Sequence, residues 1–275
     1  VSAVDGTRAA ATVVLVGEGA PPQVLFMRRH KDSGFMARAH VFPGGRVDAD
    51  DEAPRLRERV EGVDAAELAE RMRLEVPAAL AHVVAAIRET FEEAGILLGR
   101  AGTASGEPLQ RWRVRLNGRE ASFAEMVEAC DITLDGGALT YFAHWVTPPI
   151  EPKRFDTRFF FARAPAGQAG LHDGHETTAA VWMDAQTALL EHAAGRFTLA
   201  PPTWRILGDV AAARDFDAWA ALASPVGAVP RIMPHAVRED GAFVLALPGD
   251  PLHPDSADSP ARARIVLRDG SWKAE

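Results

Sequence analysis

The chain has 275 residues, 47% of them hydrophobic, which suffices for one large buried core or two small ones. A formal charge of -8 leaves no basic footprint for a nucleic-acid backbone, and the single cysteine, Cys130, rules out an internal disulfide and reads as an inert core thiol. No apolar run is long enough to span a bilayer, and the N-terminus lacks the basic and apolar blocks of a signal peptide, so the cytoplasm is the expected compartment and neither nucleic acid nor membrane is an expected partner.

In chain order, residues 11–16 and 24–28 are short apolar runs around a Gly- and Pro-rich turn, the pattern of strand, turn and strand. Arg28, Arg29, His30 and Lys31 cluster at the strand exit, where they either meet anionic groups or decorate a loop. Next, Pro43-Gly44-Gly45-Arg46 marks a tight turn at which backbone can approach a ligand closely. Residues 50–75 read as charged and irregular, with a helical pattern only over 65–74, as an insertion would.

Residues 77–96 carry the marks of one helix, with Pro77 in its first turn and Gly95 past its last. Leu80, Val83, Val84, Ile87, Phe91 and Ala94 form an apolar stripe, and Glu89, Glu92 and Glu93 project from the other side. Like charges at this spacing repel, so the patch is either a solvated acidic face or the seat of a cation. Oxygen-only ligands suit a hard ion, Mg2+ or Mn2+.

A polar stretch follows Gly99, then a short helix over 123–129, and strands over 139–146 and 159–162. Arg154 and Arg158 are candidates to grip phosphates and Phe155 to stack a base; an ion pair and a packed aromatic are the equally simple alternatives. An acidic loop through His172, His175 and Glu176 leads into a strand over 177–183 and a helix over 185–194. Helices opening near Pro202 and over 216–222, then β segments at 243–247 and 263–267, complete the chain.

Gly45, Asp51 and the run Arg88-Glu89-Thr90-Phe91-Glu92-Glu93-Ala94-Gly95-Ile96 resemble an interrupted Nudix box, G-x5-E-x7-R-E-U-x-E-E-x-G-U. With Phe42-Pro43-Gly44-Gly45 and the run Arg154-Phe155-Asp156-Thr157-Arg158-Phe159-Phe160, the chain resembles the coenzyme A diphosphatase branch of the Nudix hydrolases. It departs from the pattern at Asp51, where Glu is usual, at Thr90, where an aliphatic residue is usual, and in about 29 extra residues between the two halves of the box.

The resemblance implies an α/β Nudix fold, a mixed sheet sandwiched between helices. It implies a single domain over 8–275, including an insert at 52–76 and a C-terminal helical and β extension at 197–275. It also implies a metal-dependent hydrolase that cleaves the diphosphate linkage of a nucleoside diphosphate derivative, coenzyme A or acyl-CoA above all, by attack of a metal-activated water on phosphorus. Glu89, Glu92, Glu93 and the Gly45 carbonyl would hold Mg2+ or Mn2+. Arg88 would orient a box carboxylate, and Glu176 would act as base, with Asp51 or a box carboxylate as substitutes. Arg29, Arg46, Arg154 and Phe155 would bind substrate. ADP-ribose or NADH as substrate, and a non-catalytic ligand-binding module, stand as alternatives, and a homodimer is compatible with the family.

Overall fold

Strands that alternate their buried side chains with period two form the centre of the molecule. The computed structural model describes residues 6–30, 39–102, 108–168, 170, 177–222, 227–256 and 263–275. Strands β1 (Arg8–Gly17) and β2 (Gln23–Arg29) form an antiparallel pair in which Val16 meets Val24. The short strands β3 (His40–Val41) and β4 (Gly44–Arg46) then pair with β2 and β1, so the Gly-Gly segment runs antiparallel to the first half of β1. It is a strand here and not only a turn, because β2 pairs with β1 at the other end and leaves Ala10–Thr12 open to a partner.

The insert is folded, contrary to the irregular segment that its charge suggested. A 3-10 turn, Ala49–Glu52, is followed by α1 (Pro54–Arg57), β5 (Val60–Glu61) and α2 (Ala65–Met72). Asp64 caps α2 through the amides of Ala66 and Glu67, while Leu68, Ala69 and Met72 bury its inner face. The long helix α3 (Val76–Ala94) comes next, then β6 (Gly99–Ala101), α4 (Leu109–Asn117), α5 (Phe123–Ala129) and β7 (Ile132–Asp135). Strands β5, β7 and β6 make a small three-stranded sheet that ties the insert to the segment after α3. Helix α4 lies inside the stretch read as polar: its three arginines hid an apolar face of Trp112 and Leu116.

Strands β8 (Thr140–Val146), β9 (Phe155–Arg163) and β10 (Thr177–Asp184) complete most of the central sheet. They are followed by α6 (Ala185–Ala193), α7 (Pro201–Val210), α8 (Phe216–Leu222) and β11 (Arg231–Ile232). The chain ends in β12 (His235–Glu239), β13 (Ala242–Ala246), β14 (Arg264–Arg268) and β15 (Ser271–Ala274), an antiparallel sheet of which only the two middle strands were legible beforehand. The central sheet runs β10-β2-β1-β9-β8-β11, with β1 and β9 parallel over their full overlap and the other long pairs antiparallel. It is the mixed sheet that the resemblance implied.

Each face of that sheet has its own core. Val13, Leu15, Leu25, Met27 and Phe160 pack with α2, α3 and α5. Val14, Val16, Val24, Phe26 and Phe161 pack with α6, α7, α8 and the C-terminal sheet. Among the described residues, no helix is long and apolar enough to cross a membrane. Cys130 is buried, as expected of a core thiol.

Two buried histidines couple this packing to pH. Burial pushes His82 on α3 down to about 4, opposed by its contact with the Ala78 carbonyl, and pushes His40 down to about 4, opposed by its contact with the Thr198 carbonyl. In the unfolded chain both would take up protons near pH 6.5, so acid favours unfolding. Stability therefore falls as pH drops from about 6.5 towards 4, by up to about 3 kcal/mol for a fully buried site such as His82. Denaturant unfolding across this window should show the slope, and His82→Met should make it shallower; an unchanged slope in the variant would contradict the assignment.

Candidate active site

Helix α3 is built to hold a charged face rigidly. Pro77 sits in its first turn, where no hydrogen bond is lost, and Gly95 closes it with φ of 70°, its amide donating to the Phe91 carbonyl at 2.8 Å. Val83, Val84, Ile87, Phe91 and Ala94 are buried against the sheet. Arg113 of α4 fastens the last turn, donating from Nε to the Glu92 carbonyl at 3.0 Å and from Nη2 to the Glu93 carbonyl at 2.7 Å. These carbonyls have no partner within the helix, and a cation is favoured at that end of the helix dipole.

Glu89, Glu92 and Glu93 emerge half-buried from this helix beside β4. The Gly44 amide donates to Glu93 Oε2 at 3.1 Å. A β-carbon at Gly45 would collide with the Glu89 carboxylate, so any other residue there would displace that side chain from its place beside β4. The two halves of the motif thus meet despite the insert between them.

Arg88 is the hub. Its Nε and Nη2 donate to the two oxygens of Asp51, both at 2.9 Å, and Nη2 also donates to the Arg46 carbonyl at 2.8 Å. Its Nη1 donates to Glu89 Oε1 at 2.9 Å and to Glu92 Oε2 at 3.0 Å. Asp51 is 1% exposed and also accepts from the Asp48 amide at 2.8 Å. Burial would lower the Arg88 pKa, but Asp51 and the neighbouring carboxylates raise it, so the guanidinium stays charged. Burial also raises Glu92, partly offset by Arg88. Asp51, named beforehand as a substitute base, has both oxygens engaged in holding Arg88, which suits orientation better than proton transfer.

The carboxylates open onto a cavity of about 1170 Å³. Arg29 and Arg46 line it, as does Phe155. Arg29 Nε is buried without a hydrogen-bond partner among the described residues, a donor turned away from water. Arg154 is not among the lining residues: its Nε donates to the Thr147 carbonyl at 3.0 Å. Arg158 is buried and ion-paired with Asp156, on an inner strand and on the face towards α3, so it packs within the fold and does not line the cavity. Glu176, His172 and His175 lie outside the described residues. Arg8, Arg119 and Lys153 also line the cavity; sequence reading missed them because isolated basic residues carry no pattern.

The donor set fits a hard divalent cation. It consists of oxygens only, and Asp48, Asp50, Asp51, Glu89, Glu92 and Glu93 face the positive charge of Arg88 and Arg46 along this wall, an excess of negative charge. Among the described residues, no three Asp, Glu, His or Cys side chains are already grouped so as to hold an ion; Arg88 holds one oxygen each of Glu89 and Glu92, and the Gly44 amide holds one of Glu93.

Removing Asp51 would leave the buried guanidinium undercompensated. Asp51→Ala should cost about 3 kcal/mol in denaturant unfolding, whereas Asp50→Ala, exposed on the same turn, should change stability by less than about 0.5 kcal/mol. Equal effects would remove Asp51 from this role.

Comparison with known proteins places the chain in a family. The family described as the NUDT19 Nudix domain matches residues 58–209. The protein named acyl-coenzyme A diphosphatase NUDT19 of Gallus gallus is 30% identical over 292 residues, covering 89% of this chain and 76% of that protein. Its namesake in Xenopus laevis is 27% identical, with 89% and 75% covered. A crystal structure of a Nudix hydrolase from Alicyclobacillus acidocaldarius superposes with a TM-score of 0.67 at 29% identity, covering 83% of this chain and all of that one. With the family matched over more than half its length and the motif assembled around Arg88, this chain belongs to the Nudix hydrolases, in the NUDT19 family.

Proposed function

We propose that this protein is a divalent-metal-dependent diphosphatase that hydrolyses the diphosphate linkage of coenzyme A or an acyl-CoA, giving 3',5'-ADP and a phosphopantetheine product. The observation that carries the proposal is the meeting of Glu89 and Glu93 with the Gly44-Gly45 backbone at the wall of a cavity also lined by Arg29 and Arg46. The relatives named acyl-coenzyme A diphosphatase support the choice of substrate.

In this reading Glu89, Glu92, Glu93 and the Gly45 carbonyl hold Mg2+ or Mn2+. When bound, the ion lowers the pKa of water and offsets charge on the phosphoryl oxygens. Arg88, fixed by Asp51, holds one oxygen each of Glu89 and Glu92 and thereby aims these carboxylates. Arg29 and Arg46 bind the diphosphate, and Phe155 packs against the substrate. Glu176, which lies outside the described residues, takes the proton of the attacking water in this reading. Arg154 acts indirectly, bracing the Thr147 carbonyl at the cavity rim.

Glu93→Gln keeps an acceptor for the Gly44 amide but loses its charge, so folding should survive while metal-dependent turnover falls by at least about a hundredfold. Near wild-type turnover would sink the role of Glu93. Assayed with coenzyme A, acyl-CoA, ADP-ribose, NADH and dinucleoside polyphosphates, the wild type should hydrolyse the first two best; it should lose activity with a chelator and regain it with Mg2+ or Mn2+. A preference for ADP-ribose or NADH would move the substrate, and silence on all of them would favour a binding module.

A further inference from the structure

We infer that the C-terminal extension builds an apolar subsite that receives the acyl chain of an acyl-CoA and sets the preference for chain length, an inference that rests on coenzyme A derivatives being the substrates. The subsite follows from strand alternation. On β9, Phe155, Thr157 and Phe159 line the cavity while Phe161, on the same face, enters the core beneath the extension. The C-terminal sheet contributes Phe243 and Leu245 of β13 and Trp272 of β15 to the lining of the same cavity. Phe243 and Trp272 both lie opposite Leu267 of β14, so they share one face of their sheet. Phe161 and Leu245 belong to one core, and the apolar side chains of both sheets that line the cavity beside it form the slot assigned to the acyl chain.

Its side wall presents little to a polar ligand. Pro201 and Pro202 occupy the first turn of α7 and remove two amides from a helix end that would otherwise offer donors to an anion. Trp272 has already given its indole N–H to the Leu199 carbonyl at 3.0 Å and its amide to His192 Nε2 at 2.9 Å, so it is held in place and shows carbon to the slot. None of Phe155, Thr157, Phe159, Phe243, Leu245 and Trp272 is charged. A purine would leave its ring nitrogens poorly matched here, whereas an alkyl chain has none to satisfy.

The slot belongs to the same cavity as the carboxylates, and the whole, at about 1170 Å³, exceeds the roughly 300–1,000 Å³ of most small-molecule sites. Its lining combines the acidic side chains and arginines of the motif with apolar side chains of β9, β13 and β15, and Arg8 lies beside Phe155 on the neighbouring strand. That combination matches a molecule with a diphosphate in the middle and a hydrocarbon chain at one terminus.

The test compares octanoyl-CoA with unacylated coenzyme A. Each methylene buried should raise affinity by up to about 3- to 4-fold, so even partial burial gives the wild type at least a ~10-fold higher kcat/KM for the octanoyl form. Phe243→Ala should reduce that ratio at least ~5-fold. Should it fail to fold, Pro202→Glu places a charge in the slot at a helix N-terminus that tolerates a carboxylate, and should reduce the ratio likewise. A wild-type ratio near one, or a ratio unmoved in the folded variants, would overturn the inference. Equilibrium binding of both ligands to the wild type and variants separates this inference from the proposed reaction. If neither ligand is hydrolysed but octanoyl-CoA still binds tighter and loses that advantage in the variants, the subsite stands and the hydrolysis reading falls. Equal binding of the two ligands would refute the subsite itself.

Discussion

A buried guanidinium must find its hydrogen bonds inside the protein, and much of the site follows from how Arg88 finds them. Five of its bonds go to Asp51, Glu89, Glu92 and the Arg46 carbonyl, which come from three different stretches of the chain. Taking this cation out of water is costly, and only a planar fork with several acceptors in matched positions offsets the loss. The same bonds join β4, the turn before the insert and the carboxylate helix into one unit. Arg88 is therefore a packing solution that also holds one oxygen of each of two acidic side chains at the cavity wall.

Rigidity behind the carboxylates comes from the rest of α3. Its apolar stripe locks into the first core, and Arg113 closes its last turn from a helix of separate origin. A side chain that must meet a small ion or a phosphate benefits from such backing, since misplacement by a fraction of a bond length weakens every contact at once. Across the sheet the second core does a different job. It joins residues of the C-terminal strands to those of β1 and β9 in one cluster, so residues more than a hundred positions from the motif line the same cavity.

The insert also takes a different meaning from the one its composition suggested. Its charge and lack of a long periodic run read as irregular, yet Leu56, Leu68, Ala69 and Met72 are enough to seat it on α3. Short elements escape periodicity because two turns of helix or two residues of strand offer too few positions to establish a pattern. The same holds for α4, β12 and β15. Arg158 shows the reverse case, since its type suggested a ligand contact while strand alternation turned it inward to Asp156.

Local pattern by itself determined the two first strands, the carboxylate helix with both its ends, and the glycine pair, because each is set by neighbours within a few residues: alternation for strands, the 3.6-residue stripe for α3, and the absence of a side chain at Gly45. It also marked Glu89, Glu92 and Glu93 as one group, to which the resemblance to the Nudix box added Arg88. Only the tertiary structure decided that Asp51 is buried against Arg88, that Arg29 lines the cavity while Arg154 and Arg158 do not, and that Phe243 and Trp272 face the cavity. Those outcomes depend on which strands lie side by side and which sheet face is covered. Pairing and coverage are settled by contacts between distant segments, and no window along the chain contains both partners.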